Sequence, residues 1–288
     1  MTECNDVATP IAAEKEPVDE EEMKPQDARR YRRAAARLNY LAQDRPDIAA
    51  AANLLARSMS RPRTGDEVKV KRVLRYLQGH PCCRLEHGYQ EFQGGLTIMT
   101  DSDWAGDVTT RKSTTGLMVL MGKHLVHFAS RLQRTVALSS GEAELNALVM
   151  GLSEGLGISN VMKEWGCPSN IECFCDSSAA RGIVSRVGVG RIKHLEVKQL
   201  WVQGQIQQGR ASVQWLPRKA NSADVLTHSC SAEQGKDHLA RVGVHAERIE
   251  ERTSIRGGVL EDQVISTWWT APPCRSRWVD LVDEVLLV

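Results

Sequence analysis

The sequence predicts a mixed α/β sheet with helices packed on it, preceded by a basic helical segment. Three observations carry this. Residues 92–230 open with three short apolar runs in succession, the last two separated by a Gly122-Lys123 turn. Beyond residue 139, runs at helical spacing alternate with short apolar runs. Residues 29–84 hold fourteen Lys and Arg against four Asp and Glu, on sequence that reads as helix.

The elements follow in order. Residues 1–28 form an acidic tail, expected to be disordered: nine acids and two bases precede residue 28, without an aromatic. Residues 29–84 read as helices. Ala34, Leu38 and Leu41 keep a helical period, Pro46 breaks it, and DIAAAANLLARSM is strongly helix-prone. EVKVKRVLRYLQG then places Val70, Val73, Leu74 and Leu77 on one face, and Gly79 and Pro81 end it. Leu96–Asp101, Thr115–Met121 and His124–Ser130 are expected as three antiparallel strands. Ser139-Ser140 can cap a helix whose Leu145, Leu148, Val149, Leu152 and Leu156 share a face, although Gly151, Gly155 and Gly157 each weaken it by roughly 1 kcal/mol. Ile171–Cys175 reads as a fourth strand, His194–Gln208 as a helix, Ala211–Leu216 as a fifth strand and Asn221–Thr227 as the start of a last helix. The later strands suit parallel addition to the meander's edge, which makes a five-stranded mixed sheet. Residues 231–288 carry no motif and stay an unassigned C-terminal extension. Trp104 and Trp201 read as core-packing residues.

Composition excludes several classes. Of the 288 residues 42% are apolar and 25% charged, as in ordinary globular proteins. No run approaches the roughly 18 apolar residues of a membrane helix, so no membrane partner is expected. The acidic N-terminus does not read as a secretory signal. The eight cysteines form no CxxC pair, which points to free thiols in an intracellular setting and against zinc. The net charge of +1 hides segregation, with about +10 on residues 29–84. That basic block suggests a polyanionic partner, through Lys69, Lys71, Arg72 and Arg75.

Four acids stand at element ends. Asp101 and Asp176 end strands, and Glu144 and Asp224 lie near helix starts. Acids commonly cap helices and end strands. Four of them converging on one sheet edge, however, would repel one another and need hard divalent cations such as Mg²⁺ or Mn²⁺. Two such ions about 4 Å apart can clamp the attacking water and leaving oxygen of a phosphodiester.

TDSDWAGD, RKSTTG, VALSSGEAEL, CDSSAA and NSADVLT resemble the ribonuclease H domain of copia-type long-terminal-repeat retrotransposons. Upstream, YLAQDRPDIAAAANLLARSMSRP and KRVLRYLQG resemble the end of that element's reverse transcriptase. The resemblance spans about residues 29–230. It implies a ribonuclease H-like fold, and metal-binding catalytic roles for Asp101, Glu144, Asp176 and Asp224 with two Mg²⁺ or Mn²⁺ ions. It further implies cleavage of the RNA strand of an RNA–DNA hybrid, and an intracellular setting, nuclear or in cytoplasmic virus-like particles. The remaining partner would be the rest of a Pol polyprotein, including the reverse-transcriptase palm, since no YVDD-like motif precedes residue 29.

Glu144-Leu145-Asn146-Ala147 fits the family's Glu-Leu-X-Ala pattern, which favours Glu144 over Glu142. Asp103 shares a strand face with Asp101 and is read as a supporting group. His194, in a Lys-His motif, is read as a helix-start contact ahead of a proton shuttle. Two positions depart from the family: Ser177 follows Asp176 where Asn is usual, and His228 follows Thr227 where Lys is usual. No histidine occurs in QWLPRKANSAD, where cellular ribonucleases H carry one. The alternative reading is an inactive retrotransposon remnant with at most nucleic-acid binding. An integrase-type Asp-Asp-Glu triad does not fit the order of the four acids.

Overall fold

The computed structural model describes residues 5–12, 21–91, 94–188 and 197–248. In chain order its helices are α1 (Pro25–Leu41), α2 (Ala49–Arg57), α3 (Thr64–Gly79), α4 (Ser140–Glu164), α5 (Ser178–Val184), α6 (Val197–Gln207) and α7 (Ala232–Ala240). Its strands are β1 (Cys82–Leu85), β2 (Gly95–Asp103), β3 (Thr114–Met121), β4 (His124–Leu132), β5 (Asn170–Cys175), β6 (Ala211–Trp215) and β7 (Val244–Glu247). The described residues divide into two compact units, one within 5–89, 229–240 and 244–248, the other within 90–228 and 241–243. None of the helices among the described residues is long and apolar enough to cross a membrane.

The first unit is helical. Tyr31, Ala35 and Leu38 of α1, Ala52 and Leu55 of α2, and Val73, Leu74 and Leu77 of α3 form its core. The Tyr31 hydroxyl donates to the Leu55 carbonyl at 2.6 Å, so the ring is buried without stranding its polar end. Arg45 and Asp47 form a buried bidentate pair, and Arg45 also donates to the His80 carbonyl. Two features extend beyond the helical reading. Residues 21–24 are ordered: Met23 N–H donates to Pro62 O, Thr64 N–H to Glu21 O, and α1 begins at Pro25, inside the stretch expected to be tail. Proline at a helix's first position forfeits no hydrogen bond. Within the unassigned extension, α7 and β7 are formed, and β7 pairs antiparallel with β1, Cys82 opposite Glu247.

The second unit is the mixed sheet, in the order β4-β3-β2-β5-β6. β2, β3 and β4 pair antiparallel; β5 and β6 add in parallel. Leu96, Ile98, Leu117, Val119, Ile171 and Cys173 meet Leu145, Leu148 and Leu152 of α4 in one core. Two of the α4 glycines have a packing reason: a Cβ on Gly151 would stand 2.6 Å from Thr100 Cγ2 and one on Gly155 would run into Ile98 Cδ1, whereas Gly157 faces open space. Glycine lets α4 lie against β2, a gain that outweighs its low helix propensity. The expected helix from Asn221 is instead a short 3-10 helix, Ser222–Leu226, opened by Asn221, whose side chain accepts from Ala223 N–H. Asn221 also donates to the Thr100 carbonyl at 2.8 Å, and this ties the segment to β2. The six described cysteines, Cys82, Cys83, Cys167, Cys173, Cys175 and Cys230, are free.

Candidate metal centre

Parallel pairing brings the C-terminal ends of β2, β5 and β6 to one edge of the sheet, where ligand sites form in such folds. Asp101 lies in β2 near that edge, 3% exposed, and Asp176 directly follows β5. Glu144 comes from the first turns of α4. The Ser102 N–H and hydroxyl donate to its Oε1 at 3.0 and 2.8 Å, while its buried Oε2 has no hydrogen-bond partner. Glu142, two residues earlier, turns back instead and accepts from Leu138 N–H at 2.8 Å at the helix start. Asp224 arrives on the 3-10 helix, which packs over Gly116, the residue opposite Asp101 on β3. A Cβ at Gly116 would lie 2.7 Å from Ala223 O, so glycine makes room for the Asp224 segment.

Carboxylate oxygens of Asp101, Glu144 and Asp176 lie within 4.8 Å of one another. Carboxylate oxygens of Asp101 and Asp224 and a ring nitrogen of His228 likewise lie within 4.8 Å of one another. Asp101 therefore belongs to both groups. Asp103 stands apart, its carboxylate gripping the Thr114 hydroxyl at 2.8 Å and the Thr114 N–H. It fixes the β2–β3 connection.

Electrostatics reflect the crowding. Burial pushes the Asp101 carboxyl up to about 6; the Thr227 hydroxyl, which donates to it, opposes this, and Asp224's charge adds to it. Burial, then Asp101's charge, raises Glu144 to about 8. Acids held this far above their usual range lack counter-charge. One is supplied to Asp224 by Arg218, whose Nε lies 3.1 Å from Oδ1; that carboxylate in turn raises the Arg218 pKa.

Comparison with known proteins identifies the family. No family model matches the chain. Over 250 residues it is 31% identical to the retrovirus-related Pol polyprotein from transposon RE2 of Arabidopsis thaliana, an alignment covering 85% of this chain. This chain belongs to the retrovirus-related Pol polyproteins of transposons. It spans only 17% of the length of that relative. The Pol polyprotein from transposon TNT 1-94 of Nicotiana tabacum is 30% identical over 205 residues, covering 70% of this chain and 15% of the relative. Among solved structures, ribonuclease H1 of Halobacterium salinarum aligns at 16% identity with a TM-score of 0.37, over 46% of this chain and 95% of the other.

Two residues of this Pol chain join the site without having been singled out for it. His228 places Nε2 3.8 Å from Asp101 Oδ2. Its signal was in the sequence, as the residue standing where the family usually has Lys. Arg218 lies in QWLPRKANSAD, the segment without a histidine. The basic residues of α3 are placed in the helical unit, and each is engaged there. Lys69 pairs with Asp66 at 2.7 Å and Lys71 with Glu67 at 3.1 Å. Arg72 donates to the Thr9 hydroxyl and Arg75 to the Asn5 carbonyl. The sequence reads these cations as phosphate contacts; in the structure each also has a partner among local acids or in the 5–9 segment. His194 lies outside the described residues.

Proposed function

We propose that this Pol chain is a metal-dependent ribonuclease H, an endonuclease that hydrolyses the RNA strand of an RNA–DNA hybrid and leaves 3′-hydroxyl ends. The observation that carries the reading is that Asp101 is common to two three-ligand groups. The donor set fits hard divalent cations, Mg²⁺ or Mn²⁺, in two adjoining positions: it is almost wholly carboxylate oxygen, and Glu144 Oε2 is buried and unsatisfied. Asp101, Glu144 and Asp176 would hold one ion, and Asp101, Asp224 and His228 the other. Bound there, such ions make a water nucleophilic at neutral pH and neutralise the leaving oxygen.

The chain's own residues do the rest. Ser102 fixes the Glu144 carboxylate by two hydrogen bonds, so only Oε2 is left to ligate. Thr227 orients Asp101, and Arg218 holds Asp224. The rest of a Pol polyprotein, including its reverse-transcriptase palm, is the natural partner of such an activity. The test is magnesium-dependent release of labelled RNA from a hybrid, with duplex DNA as control. Cleavage of the hybrid that Asp101→Asn abolishes, with a melting temperature in EDTA no lower than that of the wild type, is the expected result. A correctly folded chain that binds hybrid and never cleaves it would instead be an inactive remnant.

A further inference from the structure

Trp104 does not pack in the core, as its size suggests it should; it is 54% exposed. It sits three residues after Asp101, in the connection from β2 to β3. Its indole N–H donates to the Ala137 carbonyl at 3.1 Å, which pins the ring to the segment leading into α4 and Glu144. Trp215, the last residue of β6, is 52% exposed. It pairs in register with Cys175, the neighbour of Asp176. Both rings therefore stand at the sheet edge that holds the carboxylates, one beyond β2 and one at the end of β6.

The connection that carries Trp104 holds cations beside two acids, Asp103 and Asp107, whose carboxylates accept from Thr114 and from Thr109 and Thr110 N–H. Arg111 and Lys112 end the β2–β3 connection, and Arg134 follows β4, which ends at the same edge because Thr114 pairs with Leu132. No ion pair or side-chain hydrogen bond engages these three among the described residues. A polynucleotide strand presents flat apolar faces and regularly spaced phosphates, and proteins meet it with aromatic platforms beside free cations. We propose that Trp104 and Trp215 are stacking platforms for a nucleic-acid strand laid across the carboxylates, with Arg111, Lys112 and Arg134 against its phosphates. This rests on the nuclease reading for its choice of ligand.

The experiment measures binding apart from catalysis. Anisotropy of a labelled RNA–DNA hybrid carrying a single-stranded RNA extension, whose unpaired bases are open to stacking, is titrated with the full chain in EDTA. Trp104→Ala and Trp215→Ala each weaken binding roughly ten-fold, the effect of losing one base–aromatic stack. Trp104→Phe keeps a ring without the N–H and stays within about three-fold of wild type. It also carries the decision if Trp104→Ala melts early. Trp165 is the control: it is 76% exposed, but about 31 Å along α4 from Glu144. Trp165→Ala binds like wild type. Arg111→Ala with Arg134→Ala lowers the slope of log Kd against log salt by roughly 1.5. Wild-type affinity in both Trp104→Ala and Trp215→Ala overturns the proposal, as does an equal loss in Trp165→Ala. A chain that shows these binding losses yet never cleaves with Mg²⁺ leaves the platforms standing and removes the nuclease. Cleavage with unaltered binding in the variants does the reverse.

Discussion

Glu142 and Glu144 are two residues apart on one helix, yet Glu142 accepts from Leu138 N–H at the helix start while Glu144 keeps a buried oxygen without a hydrogen-bond partner. Glu142→Ala is expected to cost about 1 kcal/mol, the usual value of a lost helix-start contact, and to leave Mn²⁺ affinity unchanged. Glu144→Gln is expected to lose Mn²⁺ affinity without losing stability; calorimetric titration and thermal melting separate the two. The raised carboxyls also set a pH dependence. Asp101 at about 6 and Glu144 at about 8 lie above the roughly 4 of an unfolded chain, so the folded state holds protons that the unfolded state has released. Their contribution to stability is complete below about pH 4 and is lost as pH rises through 6 and then 8. The melting temperature of the chain in EDTA should fall between pH 5 and 9, and Glu144→Gln should remove the upper part of that fall. A flat profile in the wild-type chain would show that these acids are not desolvated as described. At this scale the sequence was informative wherever an acid ended an element. It misplaces Trp104 in the core, because exposure at a strand end depends on which loop comes alongside, and no local pattern records that.

Elements were legible in proportion to how local their causes are. The strands of the sheet show as apolar runs because both faces of β3 and much of β2 are covered. Asn221–Thr227 has a good N-cap and one buried Leu226, too little to extend a helix, and it closes as a 3-10 turn under the pull of Asn221 on β2. β1 and β7 were not legible: four residues each, they exist because they pair across about 160 residues of chain, a contact whose closure leaves no mark in local sequence. The tight fit at Gly116 gives an element-scale prediction. Gly116→Ala forces a methyl against Ala223 O and the Thr227 side chain, and should cost about 1–3 kcal/mol. It should also reduce cleavage beyond that loss of stability, since the segment displaced carries Asp224. Unaltered kcat in a destabilised Gly116→Ala chain would mean that this packing does not position the site.

The whole chain holds two compact units with separate apolar cores, and the acids and the α3 cations fall in different ones. Calorimetry should resolve two transitions. Mg²⁺ should raise only the transition of the unit that holds the carboxylates, by about 2.7 kcal/mol at a hundred times Kd. A shift of both together would mean that the units melt as one. The sequence separated the two by their charge and by Gly79 and Pro81; it could not show that residues 229–240 and 244–248 return to the helical unit. That return has a mechanical meaning. Residues 90–228 hang as a closed loop from the β1–β7 ladder, in which Cys82 faces Glu247 and Leu85 faces Val244. Tension applied to the chain outside Cys82 and Glu247 reaches the ladder at one end and opens it rung by rung. Until the last rung parts, the carboxylate unit carries no load; afterwards it lies in the line of force in series with α7, with up to roughly 480 Å of contour still to give in residues 90–228.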